Sequence, residues 1–204
     1  MKGAFVCFEG IEGGGKSTQA ELLRGAVEGL GRRCLMLAYP DRSSDYGRII
    51  YRYLSGEARL GTTELVLLFM ADFAKDSQRI IDTVENGGVV VCSRYYYSTI
   101  AYQCASGFDY ARARDLTVAV PLPRPSVVFY LDVPVELGYE RKLKGKGMAG
   151  LDINERDMEY IGRVRSVYER LLREGLGTEC VRLDAALPVE ELHKAVMKRV
   201  NELL

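Results

Sequence analysis

Residues 10–18, GIEGGGKST, constrain the possible folds of this chain more than any other segment. They match the pattern G-x-x-x-x-G-K-[ST], in which backbone N–H groups of a glycine-rich turn surround a phosphate. An apolar run at residues 4–8 precedes the segment and a helical pattern follows it, which is the context that the pattern requires. An ordinary glycine-rich turn is the weaker alternative. The segment therefore predicts a protein that binds ATP or GTP.

The residues of this phosphate-binding loop have distinct predicted tasks. Lys16 reaches the β- and γ-phosphates, and the hydroxyl of Ser17 can coordinate Mg²⁺ that accompanies the nucleotide. The glycines allow the turn, and the N-terminus of the following helix attracts the phosphate charge. The predicted nucleotide-binding residues are Gly10, Gly13, Gly14, Gly15, Lys16, Ser17 and Thr18.

Short apolar runs alternate with longer helical patterns along the whole chain. A run that is apolar at nearly every position suits a strand buried on both faces, as in a parallel sheet covered by helices. The sequence therefore predicts an α/β fold of three layers, a parallel sheet with helices on both faces. The predicted strands cover residues 4–8, 34–38, 89–92, 127–131 and 180–183. The predicted helices cover residues 17–30, 46–55, 62–86, 95–106, 109–119, 135–144, 153–174 and 188–203.

Length and composition predict a single domain, residues 1–204, without internal repeats or linkers. The 28 Lys and Arg residues balance 28 Asp and Glu residues, so no overall charge attracts the protein to nucleic acid or to a membrane surface. The five cysteines form no CxxC pair and are odd in number, which predicts free thiols in a reducing cytoplasm. We find no signal-peptide pattern and no apolar run long enough to span a membrane.

Two segments depart from the alternating pattern. Residues 143–151, LKGKGMAGL, contain three glycines and two lysines, which is typical of a mobile loop, and we predict a short lid at about residues 141–152. The predicted helix at residues 62–86 is apolar on more faces than one sheet can cover. We therefore expect a homodimer that pairs through this helix.

A phosphate-binding loop alone does not distinguish small-molecule kinases from ATPases, GTPases and motor proteins. The sequence lacks the N-K-x-D motif with which a GTPase reads its base. A chain of 204 residues without an appended domain suits a small-molecule kinase. The other motifs must therefore identify the phosphate acceptor.

Several further segments resemble the thymidylate kinase family, and the resemblance extends nearly from end to end. It rests on residues 8–10 (FEG), Gln19, and residues 39–43 (YPDRS), 68–71 (LFMA), 93–103 (SRYYYSTIAYQ), 131–134 (LDVP) and 183–185 (LDA). It implies a P-loop kinase fold with a five-stranded parallel sheet, usually in a homodimer. It also implies an enzyme that uses ATP with Mg²⁺ to phosphorylate dTMP to dTDP for dTTP synthesis.

The resemblance implies roles for three charged residues near the phosphates. Arg42 follows a predicted strand, where its guanidinium can bind the acceptor phosphate through two hydrogen bonds; an exposed surface arginine is the alternative. Arg94 would lie between the donor and acceptor phosphates and neutralise the charge that develops during transfer; a structural ion pair is the alternative. Glu12 corresponds to a carboxylate near the acceptor sugar or phosphate.

The same resemblance implies a pocket for the acceptor nucleoside. Phe69 would stack on the thymine ring, with plain core packing as the alternative. Tyr102 corresponds to an aromatic residue that packs beside the sugar C2′ and disfavours a ribose hydroxyl. Ser98 and Gln103 resemble residues that hydrogen-bond the pyrimidine edge.

Two residues of the acceptor side depart from the family pattern. Ser93 stands where the family usually has an acidic residue, so the handling of Mg²⁺ differs unless Glu9 or Glu12 partly substitutes. Phe73 stands where many members have an arginine that helps to bind the base, which predicts looser selection between dTMP and dUMP. These departures keep two alternatives open: a kinase of this fold for dUMP or another pyrimidine monophosphate, and a nucleotide-binding protein without catalysis.

The phosphate-binding loop itself carries no basic residue at its variable positions. Family members of that kind place the catalytic cation in the lid, which closes over ATP and excludes water. Arg141 is the predicted lid cation, and it would also contact ATP. The alternatives are Lys142, Lys144 and Lys146, or a solvated basic face without a catalytic role.

Overall fold

The computed structural model describes residues 2–147, 151–154 and 156–204. Its five strands all pair in parallel, in the order β2-β3-β1-β4-β5. The strands are β1 (Ala4–Glu9), β2 (Cys34–Ala38), β3 (Val89–Ser93), β4 (Val127–Asp132) and β5 (Cys180–Asp184). The predicted α/β fold with a five-stranded parallel sheet flanked by helices is confirmed, and each predicted strand is present.

Helices connect the strands throughout the described residues. They are α1 (Lys16–Gly29), α2 (Asp45–Leu54), α3 (Thr62–Ala74), α4 (Ser77–Glu85), α5 (Tyr96–Ala105), α6 (Tyr110–Ala119), α7 (Val135–Lys146), α8 (Met158–Glu174) and α9 (Val189–Leu203). Helix α1 packs against β3 and α9, whereas α5 packs against α3, α6 and α8. Among the residues described, no helix is long and apolar enough to span a membrane.

The central strand β1 determines where a ligand can bind. All of its residues are buried, because β3 and β4 flank it and helices cover the sheet. The strand order reverses at β1, and the connections on its two sides diverge to leave a crevice at its carboxyl end. The phosphate-binding loop follows β1 directly, so the fold places it at this crevice.

The prediction of one helix at residues 62–86 is wrong. Helix α3 ends at Ala74 and α4 begins at Ser77, with a break at Lys75 and Asp76. The helical pattern of the sequence continues through these two charged residues, because neither is a glycine or proline that would end a helix. The carboxylate of Asp76 is 3% exposed, and it pairs with Lys75 at 2.6 Å and with Arg79 at 2.5 Å.

The boundaries around the predicted lid also differ from the prediction. Residues 143–146 are helical rather than a loop, because α7 continues to Lys146 and ends at Gly147, which has a φ of 65°. Residues 148–150 of the predicted lid lie outside the described residues. Helix α8 begins later than the predicted position 153, since the carboxylate of Asp157 caps it by accepting from the backbone N–H of Tyr160 at 2.8 Å.

The five cysteines are free thiols, as predicted. Cys7 in β1 and Cys92 in β3 are buried and lie side by side in the sheet. Burial raises the pKa of both thiols, so they behave as small apolar side chains.

Candidate active site

A cavity of about 780 Å³ opens at the carboxyl edge of the sheet, beside the end of β1. The phosphate-binding loop, the ends of β2 and β3, and helices α3, α5 and α7 contribute to its wall. Most of the predicted site residues line it: Glu12, Gly13, Gly15, Lys16, Ser17, Thr18, Arg42, Phe69, Arg94, Ser98, Tyr102 and Gln103. The lining does not include Gly10, Gly14 or Arg141. The two glycines pack against the backbone of Leu131, and Arg141 donates to the carbonyl oxygen of Ala185.

The phosphate-binding loop lies closely against the end of β4 and the start of α7. Gly10 has a φ of 134°, and a Cβ there would lie 2.6 Å from the carbonyl oxygen of Leu131. Gly13 has a φ of 73°, and a Cβ there would overlap the backbone of Gly138 in α7. The backbone can follow this path only because neither position carries a side chain.

Lys16 is the first residue of α1, and it is buried in the cavity wall. Its Nζ donates to the carbonyl oxygen of Ile11 at 2.7 Å. Burial, together with the nearby Arg94, lowers the pKa of Lys16 to about 7. A bound phosphate would favour the charged form of the ammonium. The side chains of Ser17 and Thr18 are exposed in the same first turn of α1.

Arg94 is fixed where β1, β3 and α5 meet. Its φ of 66° is in the left-handed region, which no other non-glycine residue occupies in the part of the chain described. That conformation costs about 1–2 kcal/mol and persists at sites where the surroundings impose it. The backbone N–H donates to Phe8 O at 2.9 Å, and the guanidinium donates to Gly10 O at 3.2 Å, Ser98 Oγ at 3.1 Å and Tyr102 Oη at 3.2 Å.

Glu12 lies among the cations of the cavity. Its carboxylate pairs with Arg94 and, at 3.2 Å, with Nζ of Lys142. Burial alone would raise the pKa of Glu12, but Arg94, Lys16 and Lys142 hold it well below its usual range. Three cations therefore share one carboxylate, and this part of the cavity is positive although the whole chain is neutral.

The lid cations separate into two groups at the end of α7. Arg141 donates to the carbonyl oxygen of Ala185 at 2.7 Å and to a carbonyl oxygen of the phosphate-binding loop at 3.3 Å. Lys142 faces the cavity beside Glu12. Lys144 is exposed, and the side chain of Lys146 lies outside the described part of the structure. Arg141 thus contacts the phosphate-binding loop, and Lys142 lines the cavity beside Glu12.

The opposite end of the cavity is aromatic. The guanidinium of Arg42 lies over the ring of Tyr51, 4.0 Å from its centroid, at the mouth of the cavity. Phe69 is half-buried in the wall. Phe73 is 1% exposed and packs edge-on against Tyr39 with the ring centroids 4.8 Å apart.

Two polar side chains on α5 face this aromatic end with unpaired atoms. Gln103 and Thr99 lie one helical turn apart, and both are buried in the cavity wall. Among the residues described, neither Gln103 Oε1 nor Thr99 Oγ1 has a hydrogen-bond partner. A buried unpaired acceptor costs about 1–3 kcal/mol, which a hydrogen bond from a ligand would recover. Sequence reasoning found Gln103 but missed Thr99, although their i, i+4 spacing places them on one helix face.

The hydroxyl of Ser98 belongs to a buried network below Arg94. It donates to the carboxylate of Glu9, lies 2.7 Å from Tyr168 Oη and accepts from Arg94. Glu9 also accepts from the backbone N–H of Tyr95 at 2.7 Å and from Tyr168 Oη at 3.0 Å. Burial raises the pKa of Glu9 in spite of these donors. The structure therefore brings Ser98 to Arg94, and its role at the pyrimidine edge stays a prediction.

Tyr102 lines the cavity beside Arg94. The Cζ of Arg94 lies 5.1 Å from the centroid of its ring, and its ring meets Tyr160 edge-on at 6.2 Å. The Oη of Tyr160 donates to the backbone carbonyl of Tyr102 at 2.9 Å, which fixes the position of this turn of α5.

Oxygen donors that could hold a metal are few at the phosphate end. Ser17 presents an exposed hydroxyl, and Ser93 presents a second hydroxyl at the carboxyl end of β3. Among the residues described, no cluster of three or more His, Cys, Asp or Glu side chains is arranged to hold a metal ion.

The chain is similar to known thymidylate kinases over its whole length. The thymidylate kinase family model matches residues 8–196. A probable thymidylate kinase from Pyrococcus horikoshii is 34% identical over 212 residues, covering 100% of this chain and 99% of that protein. The thymidylate kinase from Roseiflexus castenholzii is 35% identical, covering 98% and 93% of the two chains. The solved structure of thymidylate kinase from Candida albicans has a TM-score of 0.81 and 23% identity, covering 98% and 92%, and supports the fold.

Proposed function

This chain belongs to the thymidylate kinase family of nucleoside monophosphate kinases, and we propose that it transfers the γ-phosphoryl group of ATP to dTMP. The bond between the γ-phosphorus and the β–γ bridging oxygen breaks, and a bond to a 5′-phosphate oxygen of dTMP forms. The products are ADP and dTDP. One observation carries the proposal: a single cavity joins a cluster of phosphate-binding cations to an aromatic pocket with unpaired polar atoms.

Catalysis in this site consists of alignment and charge neutralisation, because phosphoryl transfer needs little covalent help from a protein. The phosphate-binding loop and Lys16 hold the donor phosphates. Arg94 is held between that loop and α5, where its guanidinium can contact both the donor and the acceptor phosphates. Arg42 binds the acceptor phosphate at the mouth of the cavity, and Lys142 adds a cation from α7.

Mg²⁺ fits the oxygen donors of the phosphate end. A Mg²⁺ ion that accompanies a nucleotide takes most of its ligands from phosphate oxygens and water, and it needs few ligands from the protein. The exposed hydroxyl of Ser17 would supply one ligand, and Ser93 would contact a metal-bound water. When bound, the metal neutralises phosphate charge during transfer.

We also propose that the chain forms a single domain in the cytoplasm, and that the cations of the predicted lid act on ATP from α7. Arg141 in α7 contacts the phosphate-binding loop, and Lys142 pairs with Glu12 in the cavity, which supports a role for these two cations near the ATP phosphates. The five free thiols support a reducing compartment.

The acceptor preference can be tested with dTMP, dUMP, UMP, CMP and dGMP, each with MgATP. We expect dTMP to have the highest kcat/KM and dUMP to be a poorer but usable acceptor. The lost methyl group is worth about 1–2 kcal/mol of apolar contact, and Phe73 supplies no hydrogen bond to compensate. Tyr102 should reduce kcat/KM for UMP about 10- to 200-fold relative to dUMP. A purine acceptor equal to dTMP, or UMP equal to dUMP, would contradict this assignment of the pocket.

We further propose a homodimer that pairs through α3 and α4. Leu67 in α3 is 55% exposed and Ile81 in α4 is 38% exposed, which leaves apolar surface on both helices. Light scattering should give about twice the chain mass of 22.8 kDa, and Leu67→Glu should shift the mass toward the monomer. A mass of one chain for the unmodified protein would rule out the dimer.

A further inference from the structure

Lys75, at the break between α3 and α4, lies among three carboxylates. Its Nζ is 3.1 Å from Asp41 Oδ2, 3.1 Å from Asp72 Oδ1 and 2.6 Å from Asp76 Oδ2. It also donates to the backbone carbonyl of Asp72 at 3.0 Å and lies 4.9 Å from the ring centroid of Tyr39. Two of the carboxylates are almost fully buried, since the side chains of Asp72 and Asp76 are 0% and 3% exposed.

The same carboxylates hold the segment at residues 39–44. Asp76 accepts from the hydroxyl of Tyr39 at 3.0 Å. Asp72 accepts from the backbone N–H of Asp41 at 2.8 Å and from the hydroxyl of Ser44 at 2.6 Å. Carboxylates that contact Lys75 thus attach the segment both before and after Arg42.

Electrostatics explains why this cluster needs Lys75. In the described residues, Asp41 and Asp72 have no ion-pair partner besides Lys75, whereas Asp76 also pairs with Arg79. Burial opposes the charge on Lys75, but hydrogen bonds to Asp76, Asp41 and Asp72 raise its pKa. Loss of the ammonium would leave a buried charge without a counter-ion and would add repulsion among the carboxylates.

We propose that Lys75 is a positioning residue that fixes the segment of residues 39–44 so that Arg42 meets the acceptor phosphate. Neither Lys75 nor its three carboxylate partners line the cavity, so Lys75 acts through Arg42 and not on the nucleotide. The inference rests on the proposed function, because it assigns Arg42 to the acceptor phosphate. It also gives a role to the break between α3 and α4, which brings Lys75 and Asp76 to this segment.

The kinetic test compares Lys75→Met with the unmodified enzyme and with Lys198→Met, an exposed lysine on α9. We expect Lys75→Met to raise the KM for dTMP at least 10-fold, with a smaller fall in kcat and a KM for ATP within twofold. Lys75→Arg should restore much of the dTMP KM because it keeps the charge. An unchanged KM for dTMP, or an equal rise in the KM for ATP, would overturn the proposal.

A double-mutant cycle separates positioning from a general loss of structure. In an Arg42→Ala background, Lys75→Met should raise the KM for dTMP by less than twofold, because the residue through which it acts is absent. A rise as large as in the unmodified background would overturn the proposal. If Lys75→Met does not fold, Asp41→Asn replaces it, since Asp41 lies at the surface of the cluster and its side chain is 30% exposed.

Hydrogen exchange tests the same proposal without catalysis. Lys75→Met should speed amide exchange in residues 39–44 at least 10-fold and leave the phosphate-binding loop unchanged. Equal exchange in both proteins would overturn the role of Lys75. Absence of turnover with dTMP in the unmodified enzyme would instead reject the proposed function, so the two failures are distinguishable.

Discussion

Replacing Lys16 with alanine should lower kcat/KM for ATP by about 10²-fold or more. The ammonium lies under the phosphate-binding loop, where burial removes water that would otherwise screen its charge. A cation held in that position stabilises charge on the transferring phosphoryl group without reorganising during the reaction. Steady-state rates of ADP formation with dTMP, at varied ATP and saturating Mg²⁺, measure the effect.

The matched control for this variant is Lys198→Ala, which removes an exposed lysine from α9. We expect the control to retain the activity and ATP affinity of the unmodified enzyme. Near-normal transfer by Lys16→Ala with an ordinary MgATP requirement would show that the donor phosphates bind elsewhere.

Replacing Arg94 with alanine should lower kcat by about 10²- to 10⁴-fold. The guanidinium contacts Glu12, Ser98 and Tyr102. The backbone of Arg94 has a left-handed conformation, with a φ of 66°. Loss of the guanidinium removes charge that is needed most in the transition state, so kcat should fall more than the KM for dTMP changes. Arg94→Lys should recover only part of kcat, because an ammonium cannot reproduce the planar fork of hydrogen bonds.

Single-turnover rates distinguish this chemical effect from slow product release. Arg163→Ala is the control, since it removes an exposed arginine that pairs with Glu159 in the same helix at 3.2 Å. Thermal unfolding of both variants shows whether Arg94→Ala remains folded at the assay temperature. A kcat within threefold of the unmodified enzyme would limit Arg94 to a structural ion pair.

The sheet and the phosphate-binding loop could be predicted from the sequence because each depends on a local pattern. A strand such as β3 is buried on both faces, and its uninterrupted apolar run is visible without knowledge of its neighbours. The glycines of the loop are required by backbone conformation and close packing, as at Gly10 and Gly13. In both cases the residue type reflects a local requirement, which is burial in the strand and backbone conformation in the loop.

The break between α3 and α4 could not be predicted, because its cause is not local. Lys75 and Asp76 are charged residues of the kind that usually cover a solvated helix face. The buried Tyr39, whose hydroxyl donates to Asp76, lies far away in the sequence. The same limit applies to the lid. The predicted helix at residues 135–144 already placed Arg141 and Lys142 about 100° apart, but only the packing of α7 shows that Lys142 pairs with Glu12 in the cavity while Arg141 bonds to backbone carbonyls.

Helix α5 shows which site residues the sequence could and could not separate. Gln103 and Thr99 line the cavity with oxygens that have no hydrogen-bond partner in the described part of the chain, whereas the neighbouring Ser98 donates to Glu9. The motif places all three residues on one helix near the acceptor. The rotation of α5 about its own axis, relative to β1, determines which side chains face the cavity.

Transfer of the γ-phosphoryl group to dTMP can be followed by phosphorus NMR of the reaction products. The unmodified enzyme is incubated with dTMP, ATP and Mg²⁺, and the spectra are followed to completion. The γ-phosphorus signal of ATP should fall while the β-phosphorus signals of ADP and dTDP grow in equal amounts. Conversion of ATP to ADP and inorganic phosphate with dTMP left intact, or no conversion at all, would contradict the proposed transfer.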